Sequence, residues 1–278
     1  MPRSIRLLPI LFAAIAFGWV YLTSETFTNP ETGKKVHVGL SDSQEQQLGL
    51  QSFQEVVHES NLVQSGPVYD LVRKVAARLV RVVDTGSRHY QWQIAVVDNP
   101  TQNAFCLPGG KIVVYTGILP ITQNEAGLAT VLGHEIAHAT SRHGAQRVFQ
   151  QNAMQIAMMG VQGSMADMDY GARQQILGLL GAGAQYGVLL PFSRQHELEA
   201  DKIGLRYMAR AGYDPREAIA FWERMKDAGQ GGKKPPELAS THPADETRIR
   251  QLQELMPEAL EEYRKATGST ASADNWGQ

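Results

Sequence analysis

The chain opens on an uncharged, mostly apolar run from Leu7 to Leu22 that contains Phe12, Phe17, Trp19 and Tyr21. Arg3 and Arg6 precede it, giving the positive flank and apolar segment of a signal peptide or signal anchor. The run is slightly short of the roughly 17–25 residues a spanning helix needs, with Thr23 and Ser24 available to extend it. Cleavage after Ala14-Ile15-Ala16 would leave Phe-Gly-Trp-Val-Tyr-Leu exposed at a new terminus. The segment therefore reads as a retained anchor with Arg3 and Arg6 inside and the rest across the membrane, a cleaved signal peptide being the alternative.

Beyond a polar connector the spacing becomes helical. Ser41 with Gln44 resembles a capping box, and Leu48, Phe53, Val56 and Val57 give a partial apolar face. Val68, Leu71, Val72, Val75, Ala76, Leu79 and Val82 recur at helical intervals after Gly66-Pro67. Trp92, Ile94 and Val96 alternate, predicting a strand over 91–97, and residues 103–115 predict a hairpin turning at Pro108-Gly109-Gly110. Thr122 and Glu125 form a second capping-box pattern, starting a helix that runs to about His143 and stops at Gly144.

The Met-, Ala- and Gly-rich stretch 145–190 predicts two helical pieces broken around Gly163–Gly171. Its uncharged end, Ile176–Leu190, reads as core or as a plug over a cleft, and Met154, Met158 and Met159 as core filler. Ser193 and then Asp214-Pro215 open further helices, Gly229–Pro236 is a flexible loop, and a final helix follows His242-Pro243. The fold class is α+β, mostly helical, with a small sheet beside the central helix. The expected divisions are an anchor or signal peptide over 1–24, a connector over 25–40, one domain over 41–265 and a disordered tail over 266–278.

Composition narrows the chemistry. A formal net charge of −2 gives no electrostatic footprint for nucleic acid. The single cysteine, Cys106, excludes an internal disulfide and a cysteine-based zinc site, so any metal must take histidine and carboxylate ligands.

Such ligands are present in His134-Glu135-Ile136-Ala137-His138. Residues four apart on a helix share a face about 6 Å apart along the axis, so both imidazoles reach one Zn²⁺. Glu135 is turned by roughly 100°, close to the metal but not on it, where a general base takes a proton from a zinc-bound water. A catalytic zinc needs a third protein ligand. In Ser193-Arg-Gln-His-Glu-Leu-Glu-Ala-Asp201, Glu197 and Asp201 share a face while Glu199 points away. Glu197 is the candidate ligand, and Asp201 the acceptor for the other ring N–H of a ligand histidine.

Gly133-His-Glu-Ile-Ala-His138 with Arg142-His143, and Leu190-Pro-Phe-Ser-Arg194 leading to Glu197-Leu-Glu-Ala-Asp201, resemble the M48 family of zinc peptidases. The narrower resemblance is to its bacterial periplasmic branch, related to the CAAX-processing Ste24 proteases. Asn103-Ala-Phe, Pro-Gly-Gly, Thr116-Gly117 and Ser240-Thr-His-Pro243 match that branch in order. The resemblance covers about residues 40 to 255 and implies a zincin-like gluzincin domain with one Zn²⁺ per chain. It also implies envelope protein quality control, with unfolded or misassembled polypeptides as substrates. The implied setting is the periplasm, with the chain anchored in the inner membrane or free if the N-terminal segment is cleaved. Two finer roles follow from it. Lys111–Tyr115 would be the edge strand to which substrate adds, through Ile112, Val113, Val114 and Tyr115. His242 would lie over the metal, donating to the oxyanion or filling the open position. The competing reading is a gated holdase of the same fold that rarely cuts. A purely structural zinc domain would have no use for Glu135.

Overall fold

A computed structural model describes residues 6–86, 88–184, 189–231, 237–243 and 246–268. Arg3, most of the loop expected over 229–236 and the tail beyond Gly268 lie outside the described residues. The chain divides into two compact units, one made of Met1–Asp42 and Arg142–His196, the other of Ser43–Ser141 and Glu197–Gln278.

The larger unit begins with α2 (Asp42–Glu59) and α3 (Pro67–Val80), following α1 and the hairpin described below. A sheet of β3 (Gln93–Val97), β4 (Ala104–Leu107) and β5 (Lys111–Tyr115) comes next, then α4 (Leu119–Thr122) and α5 (Glu125–Thr140). After two helices of the smaller unit, α8 (Leu190–Arg210), which belongs to the larger unit from Glu197 on, α9 (Glu217–Gly231), α10 (Glu237–Thr241) and α11 (Glu246–Thr267) complete it. The apolar stripe of α3 is buried as its spacing predicts, through Val72, Val75, Ala76 and Leu79. The sheet order is β3-β5-β4, with β3 parallel and β4 antiparallel to β5. The predicted hairpin is thus β4–β5, and its second strand is the central one.

The helix α5 is buried on nearly every side, with Leu128, Leu132 and Ile136 inaccessible to solvent. Its cap is Asn124, whose Oδ1 accepts from the Gly127 N–H at 2.8 Å, rather than Thr122, which ends α4. It stops at Thr140, ahead of Arg142 with φ 56°, and Gly144 lies inside the following helix. Against α5 lies α8, at a separation only glycine allows. A Cβ on Gly133 would come within 2.9 Å of the Gly204 carbonyl oxygen, and one on Gly204 within 2.8 Å of the His134 nitrogen.

The smaller unit contains α1 (Leu7–Thr23), a hairpin of β1 (Glu25–Thr28) and β2 (Lys35–Val38), α6 (His143–Ser164) and α7 (Tyr170–Ala184). The stretch 25–40, expected to be a connector, is this hairpin, with Phe27 opposite Val36. Phe27, Val38 and Ala145 form its own small core. Arg142 is buried here, donating to Glu25 Oε1 at 2.6 Å and to the Leu40 carbonyl at 2.7 Å. Two readings of side chains as core fail in this unit. The helix α7 buries none of its described side chains, so it is not core, and Met159 is exposed, with Met154 and Met158 only half-buried. Among the described residues no helix is long and apolar enough to cross a membrane.

The glycine contact gives a direct test. Gly204→Ala should destabilise the protein by about 1–3 kcal/mol in urea unfolding despite the better helix propensity of alanine, because the added methyl overpacks backbone against backbone. Unchanged stability would mean that the two helices have slack at this point.

Candidate metal centre

Four side chains from three parts of the larger unit converge. His134 and His138 project from one face of α5, Glu197 comes from α8, and His242 follows α10. The two Nε2 atoms of His134 and His138 are 3.1 Å apart. Glu197 Oε2 lies 3.3 Å from His134 Nε2, and Oε1 lies 3.4 Å from His138 Nε2. His242 Nδ1 is 3.3 Å from His134 Nε2 and 2.9 Å from Glu197 Oε2. A tetrahedral cation bonded at about 2.0–2.1 Å sets its ligand atoms about 3.3 Å apart. The donor set fits zinc in spacing and in type, two or three imidazoles with one carboxylate and no thiol.

Behind the ligands is a buried polar support. His134 Nδ1 lies 2.9 Å from Asp201 Oδ1, one helical turn along α8 from Glu197. Arg248 of α11 donates to both Asp201 oxygens at 2.7 Å each, and to the Pro243 carbonyl at 3.1 Å. Its Nη1 is also 3.3 Å from Glu197 Oε2. The guanidinium lies 3.8 Å over the Trp222 ring, which meets His134 edge-on at 5.4 Å. Burial alone would raise the Asp201 carboxyl, but the Arg248 charge and hydrogen bonds, joined by His134, hold it down at about 2. Burial lowers His134, yet its hydrogen bonds to Asp201 and Glu197 outweigh this and raise it to about 9. The Glu197 carboxyl resists burial in the same way, held far below the usual carboxylate range by His134, His138 and His242.

Glu135 is buried on the next residue of α5. Its Oε1 accepts no hydrogen bond and lies 3.5 Å from His242 Nε2. A buried carboxylate oxygen left without a donor beside a cluster of converging ligands is the place for a water molecule. The strand β4 runs alongside α5. Its Cys106 thiol is pushed well up by burial and then by the Glu135 charge, with Lys111 pulling the other way.

The substrate-strand expectation needs correcting. β5 is hydrogen-bonded on both sides, and Ile112, Val113 and Val114 are wholly buried, so neither they nor Tyr115 offers a free strand edge. The outer strand on the α5 side is β4, and among the described residues no strand pairs with it opposite β5.

The model of peptidase family M48 matches residues 69–256, a stretch that holds every residue of this centre. The chain belongs to peptidase family M48. It is 37% identical over 262 residues to the mitochondrial metalloendopeptidase OMA1 of Schizosaccharomyces pombe, covering 93% of this chain and 74% of that protein. The Saccharomyces cerevisiae OMA1 is 31% identical over 283 residues, 93% of this chain and 78% of its own length. The beta-barrel assembly-enhancing protease of Escherichia coli K12 is 28% identical over 285 residues, 98% of this chain but 58% of that protein. This M48 chain is a metalloendopeptidase.

In this M48 chain, Arg248 and Trp222 are the residues that sequence reasoning missed. Arg248 carried a visible signal, since Leu252 and Met256 follow it at helical spacing and both are buried, placing a charge in line with an apolar stripe. Trp222 carried none beyond its size. Arg248→Met should cost about 3–5 kcal/mol in urea unfolding at neutral pH, because it leaves buried carboxylates without their cation. In the parent protein the pair's contribution should stand above the ordinary aspartate pKa of 3.8 and fall away as the pH drops toward about 2, since the folded pKa is the lower one. A variant as stable as its parent across that range would mean that Arg248 supports nothing.

Proposed function

We propose that the chain holds one Zn²⁺ through His134, His138 and Glu197 and cleaves internal peptide bonds of unfolded or misassembled cell-envelope proteins. The observation that carries the reading is the tetrahedron-sized spacing of the ligand atoms beside the orphaned Glu135 oxygen. The bound cation supplies a water of near-neutral pKa and polarisation of the scissile carbonyl. The chain's own residues do the rest. The Asp201 carboxylate, with Oδ1 2.9 Å from His134 Nδ1, favours the tautomer protonated on that nitrogen, which leaves the Nε2 lone pair for the metal. Glu135 takes a proton from the attacking water and delivers it to the leaving amide nitrogen. An extended substrate adds to the β4 edge by main-chain hydrogen bonds, which recognise unfolded chain without regard to sequence.

His242 has two readings, and the geometry favours the second. Its Nε2 faces Glu135, as an oxyanion donor would require, but its Nδ1 occupies the fourth corner of the ligand set. That arrangement is a resting state which substrate must open, and a chain that rests closed is also the form in which holding would outweigh cutting.

Residues 41–265 form the peptidase part in this reading and 1–24 the anchor. The cell-envelope assignment is supported by the named role of the Escherichia coli relative, while the yeast relatives are mitochondrial by name. The helix α1, uncharged and without a buried side chain, supports attachment to the inner membrane with the peptidase part in the periplasm.

The deciding experiment is casein cleavage by the zinc-replenished chain and by Glu135→Gln. The variant should lose about 10²–10⁴-fold in kcat while keeping one zinc. Equal cleavage by both would refute the assignment of the base, and absence of zinc from both would refute the metal centre. His242→Ala should raise casein cleavage if the residue closes the site, whereas a fall assigns it to the oxyanion.

A further inference from the structure

The geometry points to α7 as a second membrane-contacting element, entering the apolar phase of the bilayer beside α1. The inference rests on the reading of α1 as an anchor and extends it to a helix more than a hundred residues away in sequence.

Both helices are apolar and almost wholly uncovered. On α1, Leu7, Phe12 and Leu22 are each more than 65% exposed, and no residue of the helix is buried. On α7, Leu179 is 75% exposed, Leu180 follows at 42%, and again nothing is buried. In water such helices have no reason to stand clear of the fold. Between them α6 differs in character. It is the amphipathic member, and Gln151, Asn152, Gln155 and Gln162 are exposed along it. It supplies the seam, because Gly160 and Gly163 let α1 close on it. A Cβ at Gly160 would meet the Ala13 Cβ at 2.4 Å, and one at Gly163 the Pro9 Cβ at 2.8 Å.

Charge placement argues for lipid rather than for a protein partner. No Asp, Glu, Lys or Arg occurs from Leu7 to Ser24, from Val148 to Ala166 or from Gln174 to Ala184. The charges gather at the helix ends. Arg6 pairs with Asp167 at 2.7 Å and its N–H donates to the Ser164 carbonyl, so α1 starts beside the turn that leads into α7. Asp169 and Arg173 belong to that same end. At the other end of α1, Glu25 pairs with Arg142, and Ser24 Oγ is 2.8 Å from His37 Nδ1. Exposed Trp19 and Tyr21 lie near that end and Tyr170 near the first, residue types that favour the membrane–water interface. The 17 residues of α1 rise about 26 Å, short of the roughly 30 Å of a hydrocarbon core, so α1 enters the apolar phase without crossing it. The glutamine stripe of α6 stays on the watered side.

The test uses the full chain with Cys106→Ser and single cysteines carrying an environment-sensitive fluorophore at Trp19, Leu179 or Gln253, the last an exposed position on α11. Each labelled protein is first checked for casein cleavage, then mixed with vesicles of phosphatidylethanolamine and phosphatidylglycerol in a 3:1 ratio. Probes at Trp19 and Leu179 should both shift to the blue and be quenched by spin labels on the lipid chains, while Gln253 stays water-like. Leu179→Glu with Leu180→Glu should weaken vesicle binding about tenfold or more, given the cost of a charge in hydrocarbon. A Leu179 probe that remains in water while Trp19 is buried would overturn the inference and leave the anchor intact. Both probes in water would overturn the anchor as well. A Leu179 probe already shielded before vesicles are added would mean that protein, a second copy included, covers α7 instead.

Discussion

Two glycines facing each other across α5 and α8 set the distance on which the centre depends. His134 and His138 are separated by one turn of α5, and Glu197 and Asp201 by one turn of α8, so each helix alone presents its pair in a fixed geometry. What no helix fixes alone is the gap between the pairs. Gly133 and Gly204 close it by bringing backbone onto backbone, with the Gly204 Cα beside the residue that bears the first imidazole. From that contact follow the His134–Asp201 and His134–Glu197 distances, and from those the position of every group that touches them. Packing is therefore the first determinant of the chemistry, and polar contacts refine what packing has placed.

Arg248 performs the refinement. Its planar fork suits a carboxylate held side-on, and its remaining donor reaches the carbonyl of the residue next to His242. A lysine offers one point charge on a flexible stem and could not hold Asp201, Glu197 and Pro243 together. The ring of Trp222 fills the space behind, so the guanidinium has neither water nor room to turn. One arginine thereby couples the orientation of His134 to the segment that bears His242.

Much of this was legible in the residues. The histidine pair, the glutamate between them and the Glu197/Asp201 pair all depend on spacing within one helix, which sequence states directly. The order of strands does not. The hairpin over 103–115 was visible, but which strand faces outward depends on where β3 pairs, a contact across intervening chain. A hint lay in the composition, since Ile112-Val113-Val114 is a continuous apolar run of the kind a central strand carries, while β4 mixes sizes and polarity. The hairpin over 25–38 was overlooked because its strands are four residues each and largely polar on one side. Arg248 was legible in principle, as a charge on an apolar stripe. The bare face of α7 was not, because apolar composition alone cannot distinguish a buried helix from one that the fold leaves uncovered.

Burial within the centre has a last consequence. Glu135, Glu197 and Asp201 are all withdrawn from water, and one buried guanidinium, Arg248, stands against them. The formal deficit is two positive charges, the charge of a divalent cation. In its absence the raised affinity of His134 for a proton makes good part of that deficit. A divalent cation bound there would contribute its binding energy to folding as well, so the working stability of the protein would follow the free level of that ion. Scarcity of the ion would first loosen the scaffold and then expose it to other proteases, tying the lifetime of the enzyme to the supply of its own cofactor.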